Sequence, residues 1–325
     1  MSRTTARAAQ IQKERGHPNV PKGVFPNEPI SRPQPQETPA LMRWKTNPFR
    51  PPKTGPAPLA NTAYNHTMVT SRRQFLQTVA VASLAAPLVP AAQPVLGMIF
   101  PPADAPVPPE ATLLYPSGIT FLAEGLAFSG MTIEGYEEAL PRLVPAALEL
   151  KQRGATAISI MGTSITFYKG AAFNQELIDR VQQATGLPTS SMSTGIVDGL
   201  KVAGAKRVAV ATAYTDEVNA TLERFLKESG FQVVGIKGLN LLRATGVTEQ
   251  QVMDISLSTF AAAPQADALL VSCGGLKTID LLVPLETKCK VPVVSSTPHA
   301  LMNAVRLLGI SPRVKGFGIV LGKAS

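Results

Sequence analysis

From residue 95 onward, short uninterrupted apolar runs alternate with longer stretches in which apolar residues recur at helical spacing. Short apolar runs without polar alternation are typical of strands buried on both faces of a parallel sheet. We predict strands at Val95–Phe100, Ala157–Met161, Thr189–Ser191, Arg207–Ala211, Gln232–Ile236, Ala268–Ser272 and Val291–Val294. Helices are predicted at Gly135–Arg153, Gln175–Thr185, Gly195–Ala203, Asp216–Ser229, Glu249–Ala261 and Ala300–Leu308. The pattern therefore predicts an α/β fold in which helices cover both faces of parallel sheets.

The same part of the chain contains an internal repeat. The run A-I-S-I-M-G-T-S-I at 157–165 and the run A-L-L-V-S-C-G-G-L at 268–276 both combine a buried-strand pattern with a small-residue turn. A second matching pair begins at Pro188 and Pro292, and each copy leads through a helical stretch to a K/R-x-x-G ending. The repeat predicts two similar Rossmann-like lobes related by a pseudo-twofold axis, with the active site in the cleft between them.

The predicted boundaries follow from this repeat. We assign residues 95–205 together with 300–325 to an N-terminal α/β lobe, and residues 206–299 to a C-terminal α/β lobe. Aligning the first pair of runs places Gly162 opposite Cys273 across the cleft. The cleft would therefore carry one thiol, which can deliver a proton from one side only.

Two further segments precede the lobes. Residues 1–67 are rich in proline and have no sustained apolar period, which predicts disorder. Residues 68–92 combine the pair Arg72–Arg73 with a short apolar run and a small-residue ending, the pattern of a twin-arginine signal peptide. The apolar run is shorter than the ~20 residues of a membrane-spanning helix. We expect export to the periplasm through the twin-arginine translocase, with Met68 as the true start and 1–67 as untranslated sequence.

The charge distribution and the absence of certain motifs exclude several classes of function. The formal net charge is +9, yet residues 1–94 hold 12 basic and 3 acidic side chains, and residues 95–325 hold 19 of each. The predicted lobes therefore offer no electrostatic case for binding nucleic acid. The sequence has no dinucleotide-binding glycine motif, no P-loop and no Cys/His metal spacing. We accordingly predict no cofactor and no metal.

Several distinctive turns directly follow predicted strands, so they converge on one edge of the sheets. Thr163 and Ser164 offer hydroxyls and backbone N–H groups for an anion, although both residue types are also common helix caps. Tyr214 follows a strand and offers a phenol donor; the alternative is a tyrosine that packs over a loop. Cys273 and Gly274 add a thiol and unobstructed backbone donors, and a cysteine at such a turn is expected to be accessible with a lowered pKa.

The remaining thiol and the histidines restrict the chemistry further. A disulfide between Cys273 and Cys289 is disfavoured, because Cys289 is predicted to lie in a polar, lysine-flanked loop. His299 is expected to cap a helix or to face solvent, which makes it a weak candidate for the base that a hydrolase nucleophile needs. A proton carrier is therefore the best role for Cys273.

The motifs G-M-I-F-P-P (97–102), M-G-T-S-I-T-F-Y-K-G-A-A-F-N, A-T-A-Y-T-D-E-V-N, S-C-G-G-L-K-T-I-D and V-P-V-V-S-S-T-P resemble the arylmalonate decarboxylase branch of the aspartate/glutamate racemase superfamily. The resemblance covers residues 95–312. Its most specific element is the pairing of Gly162 with a lone Cys273, because the racemases and maleate isomerases of the superfamily carry cysteine at both places.

This resemblance implies cofactor-independent decarboxylation of a disubstituted (aryl)malonate to a chiral monoacid, through an enediolate that Cys273 protonates. One carboxylate would rest in a dioxyanion hole, and the other would be pressed into an apolar pocket. The residues implied for the hole are Thr163, Ser164, Tyr214 and the backbone N–H groups of Cys273 and Gly274. The residues implied for the pocket side are Pro101, Phe128, Met131 and Tyr136. Phe128 and Met131 are bulkier than the family's usual residues, and the segment 238–246 is shortened.

Two alternatives remain open from the sequence. The first is an Asp/Glu racemase-type enzyme or a maleate cis-trans isomerase, which would need a second acid where Gly162 stands. The second is an exported carboxylate-binding protein without catalysis, which has no need of a thiol at residue 273. The expected partner in every case is a small carboxylate (a dicarboxylate substrate for the decarboxylase), and the protein is expected to be a monomer.

Overall fold

The computed structural model describes residues 93–325, so the predicted segments 1–67 and 68–92 lie outside the described residues. The strands are β1 (Val95–Phe100), β2 (Thr120–Gly125), β3 (Ala157–Ile160), β4 (Thr189–Ser191), β5 (Arg207–Thr212), β6 (Gln232–Gly238), β7 (Ala268–Ser272) and β8 (Val293–Ser295). The helices are α1 (Pro109–Leu114), α2 (Ile133–Ala139), α3 (Leu143–Gln152), α4 (Thr163–Phe167), α5 (Ala171–Thr185), α6 (Met192–Ala203), α7 (Asp216–Glu228), α8 (Glu249–Ala261), α9 (Leu282–Cys289), α10 (Ser296–Arg306) and α11 (Ile319–Lys323). None of these helices is long and apolar enough to cross a membrane.

The strands form two four-stranded sheets with the same topology. The strand orders are β2-β1-β3-β4 and β6-β5-β7-β8, and every pairing is parallel. β3 and β7 therefore occupy equivalent central positions, and both are buried along their whole length. The predicted α/β fold of two similar halves is confirmed. The residue boundaries of the two lobes stay a prediction.

Most predicted strands occur with nearly the predicted bounds, and the differences have local causes. β2 was not predicted, because it is an edge strand whose residues are only partly buried, so its apolar pattern is weak. The single helix predicted at 135–153 is instead α2, a short 3-10 turn and α3. The break falls at Pro141, which has no N–H to donate to the helix. α10 begins four residues earlier than predicted, with Pro298 in its first turn, where proline is tolerated.

The two sheets are joined by a reciprocal helix packing. α6 follows β4 and packs against β8, whereas α10 follows β8 and packs against β4. The two helices also pack closely on each other. A β-carbon at Gly195 would lie only 2.6 Å from the Cα of Ala300. A side chain at Gly195 would push the helices apart. The turns that follow equivalent strands are therefore held at a fixed distance by this contact.

His299 lies at this helix contact and is fully buried. Its Nδ1 atom lies 3.0 Å from both the backbone N and the backbone O of Ser295. A β-carbon at Gly199 would lie 2.9 Å from its ring. The expectation of a solvent-facing histidine is wrong, because the sequence does not show that α6 covers this face of α10. Burial lowers the pKa of His299 from 6.5 to about 4.

This shift predicts how stability depends on pH. As the pH falls from about 6.5 to about 4, the unfolded chain binds a proton at residue 299 that the folded protein excludes, so the free energy of unfolding decreases. The loss should reach about 3 kcal/mol. Urea unfolding of the wild type and of His299→Leu across this range should show a shallower pH dependence in the variant. Equal slopes for the two proteins would contradict this origin.

Candidate active site

The turns that follow the two central strands meet in the structure. Gly162 and α4 follow β3, and Cys273 and Gly274 follow β7. The Oγ1 atom of Thr163 lies 3.1 Å from the Oγ atom of Ser296, and the same Oγ accepts the backbone N–H of Cys273 at 3.0 Å. The hydroxyl of Ser296 therefore connects the first turn to the second.

Thr163 and Ser164 do not cap α4 with their side chains. Gly162 occupies the N-cap position, and no side chain makes a cap bond there. The Thr163 hydroxyl instead donates to the sulfur of Met192 at 2.8 Å. Both hydroxyl residues are more than nine-tenths buried. The alternative of ordinary capping residues is wrong, because the peptide of Gly162 takes that position.

The Cys273 thiol is enclosed. Its residue is only 6% exposed, and its Sγ atom lies 3.7 Å from the Sδ atom of Met131. Burial raises the pKa of Cys273 from 9.0 to about 11; backbone N–H groups of Gly275 and Leu276 and the Tyr214 phenol offset part of this increase. The expectation of an accessible thiol with a lowered pKa is wrong, because the side chains of other segments cover the turn. At neutral pH the thiol is protonated.

Two buried phenols lie beside the thiol. Tyr214 and Tyr136 are each no more than 1% exposed, and neither hydroxyl has a hydrogen-bond partner of good geometry among the described residues. Burial raises the pKa of Tyr214, Cys273 raises it further, and the nearby Ser272 and Thr163 hydroxyls offset part of the increase. Burial likewise raises the pKa of Tyr136, offset in part by Ser164. Both phenols are therefore neutral, unpaired donors in the interior.

Tyr214 is anchored by its ring rather than by its hydroxyl. The ring packs edge-on against Phe167, with 5.7 Å between the ring centroids. The alternative in which Tyr214 merely packs over a loop does not describe this position, because the residue lies in the core. The ring therefore has a packing partner, whereas the hydroxyl has no hydrogen-bond partner of good geometry among the described residues.

Of the residues implied for the apolar pocket, Met131 contacts the thiol, Phe128 and Tyr136 contact each other, and Pro101 lies beside Gly162. The rings of Phe128 and Tyr136 stack in parallel at 6.4 Å. A β-carbon at Gly162 would lie 2.8 Å from Pro101 and 2.5 Å from Ile165. A second side chain at residue 162 therefore has no room unless its neighbours move. The roles implied for these residues remain predictions.

Two loops close over the site. The backbone N–H of Met131 donates to the carbonyl of Leu242 at 2.9 Å, and the guanidinium of Arg243 donates to the carbonyl of Ser129. A β-carbon at Gly275 would lie 2.8 Å from the β-carbon of Ala244.

Open surface depressions of about 350 and 730 Å³ lie elsewhere, along α5 and beside β6, and include none of the site residues.

The remaining chemistry-bearing residues do not join this cluster. Residues 93–325 contain no group of three His, Cys, Asp or Glu side chains placed to hold a metal ion. Cys273 and Cys289 are both free, as predicted. The prediction that Cys289 lies in a polar loop is wrong, because this residue is buried at the end of α9.

Ser296 and Met192 contact Thr163 but were missed in the sequence analysis. The repeat could have identified them: Met192 stands four residues after Pro188, and Ser296 stands four residues after Pro292, each at the start of its helix. Both side chains reach the Thr163 hydroxyl. Equivalent positions in the two halves therefore converge on one atom.

The two parallel sheets with their covering helices form an α/β fold that this chain shares with maleate isomerases. The fold of a maleate isomerase from Pseudomonas putida S16 matches with a TM-score of 0.65 at 20% identity, over 71% of this chain and 98% of the other. A curated maleate isomerase from Pseudomonas putida is 22% identical over 48% of this chain and 65% of its own length.

The chain belongs to the arylmalonate decarboxylase family. The family model matches residues 96–321. Arylmalonate decarboxylase from Bordetella bronchiseptica is 42% identical over 70% of this chain and 96% of its own length. The crystal structure of a liganded arylmalonate decarboxylase double mutant (glycine to cysteine, cysteine to serine) matches with a TM-score of 0.69 at 40% identity, covering 71% of this chain and all of the other. The protein is therefore a decarboxylase, and the non-catalytic binding protein is set aside.

The enclosed thiol leads to a prediction on its reactivity. Because the pKa of Cys273 is raised to about 11, iodoacetamide should alkylate it slowly at neutral pH, and the rate should rise steeply as the thiolate forms in alkaline solution. Mass spectrometry of a Cys289→Ser variant follows this one thiol, and the urea-unfolded variant serves as the control with an ordinary cysteine pKa. A midpoint near or below neutral pH would contradict the raised pKa.

Proposed function

We propose that the protein decarboxylates a disubstituted malonate, with an aryl group as one substituent, without a cofactor. The observation that carries the proposal is an enclosed thiol beside two buried phenols, Tyr136 and Tyr214, whose hydroxyls lack a partner of good geometry among the described residues. Family membership supports the reaction class, and the site geometry supports the assignment of roles.

One carboxylate of the substrate would bind to Thr163, Ser164, Tyr214 and the backbone N–H of Gly274. An unpaired donor in the interior is costly, and a carboxylate oxygen would satisfy the Tyr214 phenol. The backbone N–H of Cys273 belongs to the same proposed dioxyanion hole, although Ser296 accepts it in this structure. A carboxylate oxygen is a strong acceptor and would share this N–H with the serine.

The second carboxylate would lie against Pro101, Phe128, Met131 and Tyr136. An ionised carboxylate is poorly solvated among such side chains. When the bond between this carboxylate and the α-carbon breaks, neutral CO2 leaves and the electron pair moves into the retained carboxylate, giving an enediolate. The donors of the hole stabilise the added charge. Loss of CO2 also removes the poorly solvated charge.

Cys273 would then donate its proton to one face of the α-carbon, and water would later reprotonate the thiolate. A neutral thiol is the required form of the donor, so the raised pKa suits this role. With one acid on one face, the product would have one configuration. A racemase or isomerase needs an acid on the other face as well, and the crowding at Gly162 disfavours a side chain there.

The proposed role of the thiol predicts the effect of Cys273→Ser. The serine hydroxyl is a far weaker acid than a thiol, so CO2 release from a panel of aryl- and alkylmalonates should fall by about 10²–10⁴-fold. Cys289→Ser, which removes the thiol at the end of α9, is the matched control and should retain wild-type turnover. Near-wild-type turnover by Cys273→Ser would exclude the thiol as proton donor. Racemisation of an optically pure monoacid by the wild type would favour the racemase alternative.

We further propose that the protein is exported to the periplasm by the twin-arginine translocase and acts as a monomer. The pair Arg72–Arg73 and the short apolar run that follows support the export proposal.

The export proposal is tested by replacing both arginines with lysine. In a bacterial host the wild type should reach the periplasm shortened by about ninety residues, because cleavage is expected at the small-residue ending of the signal. The double variant should stay in the cytoplasm at full length. A wild type that remains full-length in the cytoplasm would overturn the proposed location and leave the chemistry untouched.

A further inference from the structure

Ser296 occupies a position between the two turns of the site. It is the first residue of α10 and is 1% exposed. Its Oγ atom accepts the backbone N–H of Cys273 at 3.0 Å and lies 3.1 Å from the Oγ1 atom of Thr163. Cys273 follows a strand of one sheet, and Thr163 follows the equivalent strand of the other. One hydroxyl thus fixes both turns.

The backbone of Cys273 requires such support. Its φ angle is 154°, a conformation that residues with a side chain rarely adopt. Residues held in such conformations persist where surrounding contacts determine them. The bond to Ser296 fixes the N–H of this residue, and Thr297 Oγ1 donates to the carbonyl of Gly274 at 3.2 Å. The first turn of α10 therefore holds the N–H of Cys273 and the carbonyl of the next residue, Gly274.

The two donors that contact Ser296 are also donors of the proposed dioxyanion hole. In the free enzyme, the serine oxygen accepts the Cys273 N–H in place of a carboxylate oxygen. A hydroxyl oxygen has two lone pairs, so it can keep the Cys273 N–H, shared with a carboxylate oxygen, while it stays in contact with the Thr163 hydroxyl. A side chain without an acceptor would leave this buried N–H unpaired in the free enzyme.

We propose that Ser296 is a positioning residue that holds the Cys273 thiol and its backbone N–H in the geometry needed for protonation on one face. The proposal rests on the function proposed above. It predicts that the serine acts mainly on the chemical step and on the configuration of the product. Substrate capture depends more on the hydroxyls and phenols that remain.

The test compares Ser296→Ala with Ser296→Thr and Ser295→Ala. Ser296→Thr retains the hydroxyl. Ser295→Ala is the matched control, because Ser295 is equally buried one residue earlier and its Oγ atom bonds to Thr278 at 3.0 Å. For each protein we would measure thermal unfolding, kcat, KM and the enantiomeric purity of the monoacid. The alkylation rate of Cys273 would be measured in a Cys289→Ser background.

For Ser296→Ala we expect kcat to fall by about 10–100-fold, with a smaller change in KM, because a displaced reacting group loses its alignment. The enantiomeric purity should decrease, and alkylation should become roughly tenfold faster as the turn loosens. Ser296→Thr should recover most of the loss. Ser295→Ala should lose comparable stability and keep wild-type kcat and purity.

Wild-type kcat and purity in Ser296→Ala, or an equal loss in Ser295→Ala, would overturn the proposal. If the wild type releases no CO2 from any malonate, the proposed function fails, and the alkylation rates alone decide whether Ser296 positions the thiol. Unchanged alkylation in Ser296→Ala would then refute it. If Ser296→Ala does not fold, Ser296→Cys keeps the side-chain volume, weakens the acceptor and should show the same changes.

Discussion

The close packing of α6 against α10 is the contact on which the site depends. Each helix follows the last strand of its own sheet and covers the last strand of the other. The absence of a side chain at Gly195 allows this approach. Because the two helix starts lie side by side, Ser296 on α10 and Met192 on α6 both reach the hydroxyl of Thr163. The packing between the two halves therefore sets the hydrogen-bond geometry of the site.

Burial determines the chemical character of the thiol. An exposed cysteine at a turn would tend towards a nucleophilic thiolate, whereas the pKa of the enclosed Cys273 is raised to about 11. Met131 and the loop that carries Leu242 close the site, and they are held together by a backbone hydrogen bond. The same enclosure removes water from the neighbouring phenols and keeps them neutral. The site thus offers an acid and neutral donors, a combination suited to stabilising and then protonating a carbanion-like intermediate.

The fold is shared with maleate isomerases, so the fold alone does not specify the reaction. The two halves of this chain differ in the residue at two equivalent turns. Cys273 follows the central strand of one sheet, and Gly162 follows that of the other, where Pro101 and Ile165 occupy the space of a side chain. Within a symmetric scaffold, only one of the two equivalent turns therefore carries a thiol.

The amino-acid sequence was sufficient to predict the alternation of strands and helices, the repeat, and the pairing of Gly162 with Cys273. These features depend on local apolar patterns and on small-residue turns, so they are readable without the fold. The edge strand β2 was not predicted because its residues are only partly buried. The helix break at Pro141 was not predicted either, although proline is the residue type that interrupts helices. The burial of His299, the raised pKa of Cys273 and the bridging position of Ser296 follow only from the folded structure. Each of these depends on side chains far apart in sequence, whose approach is set by how the two halves pack.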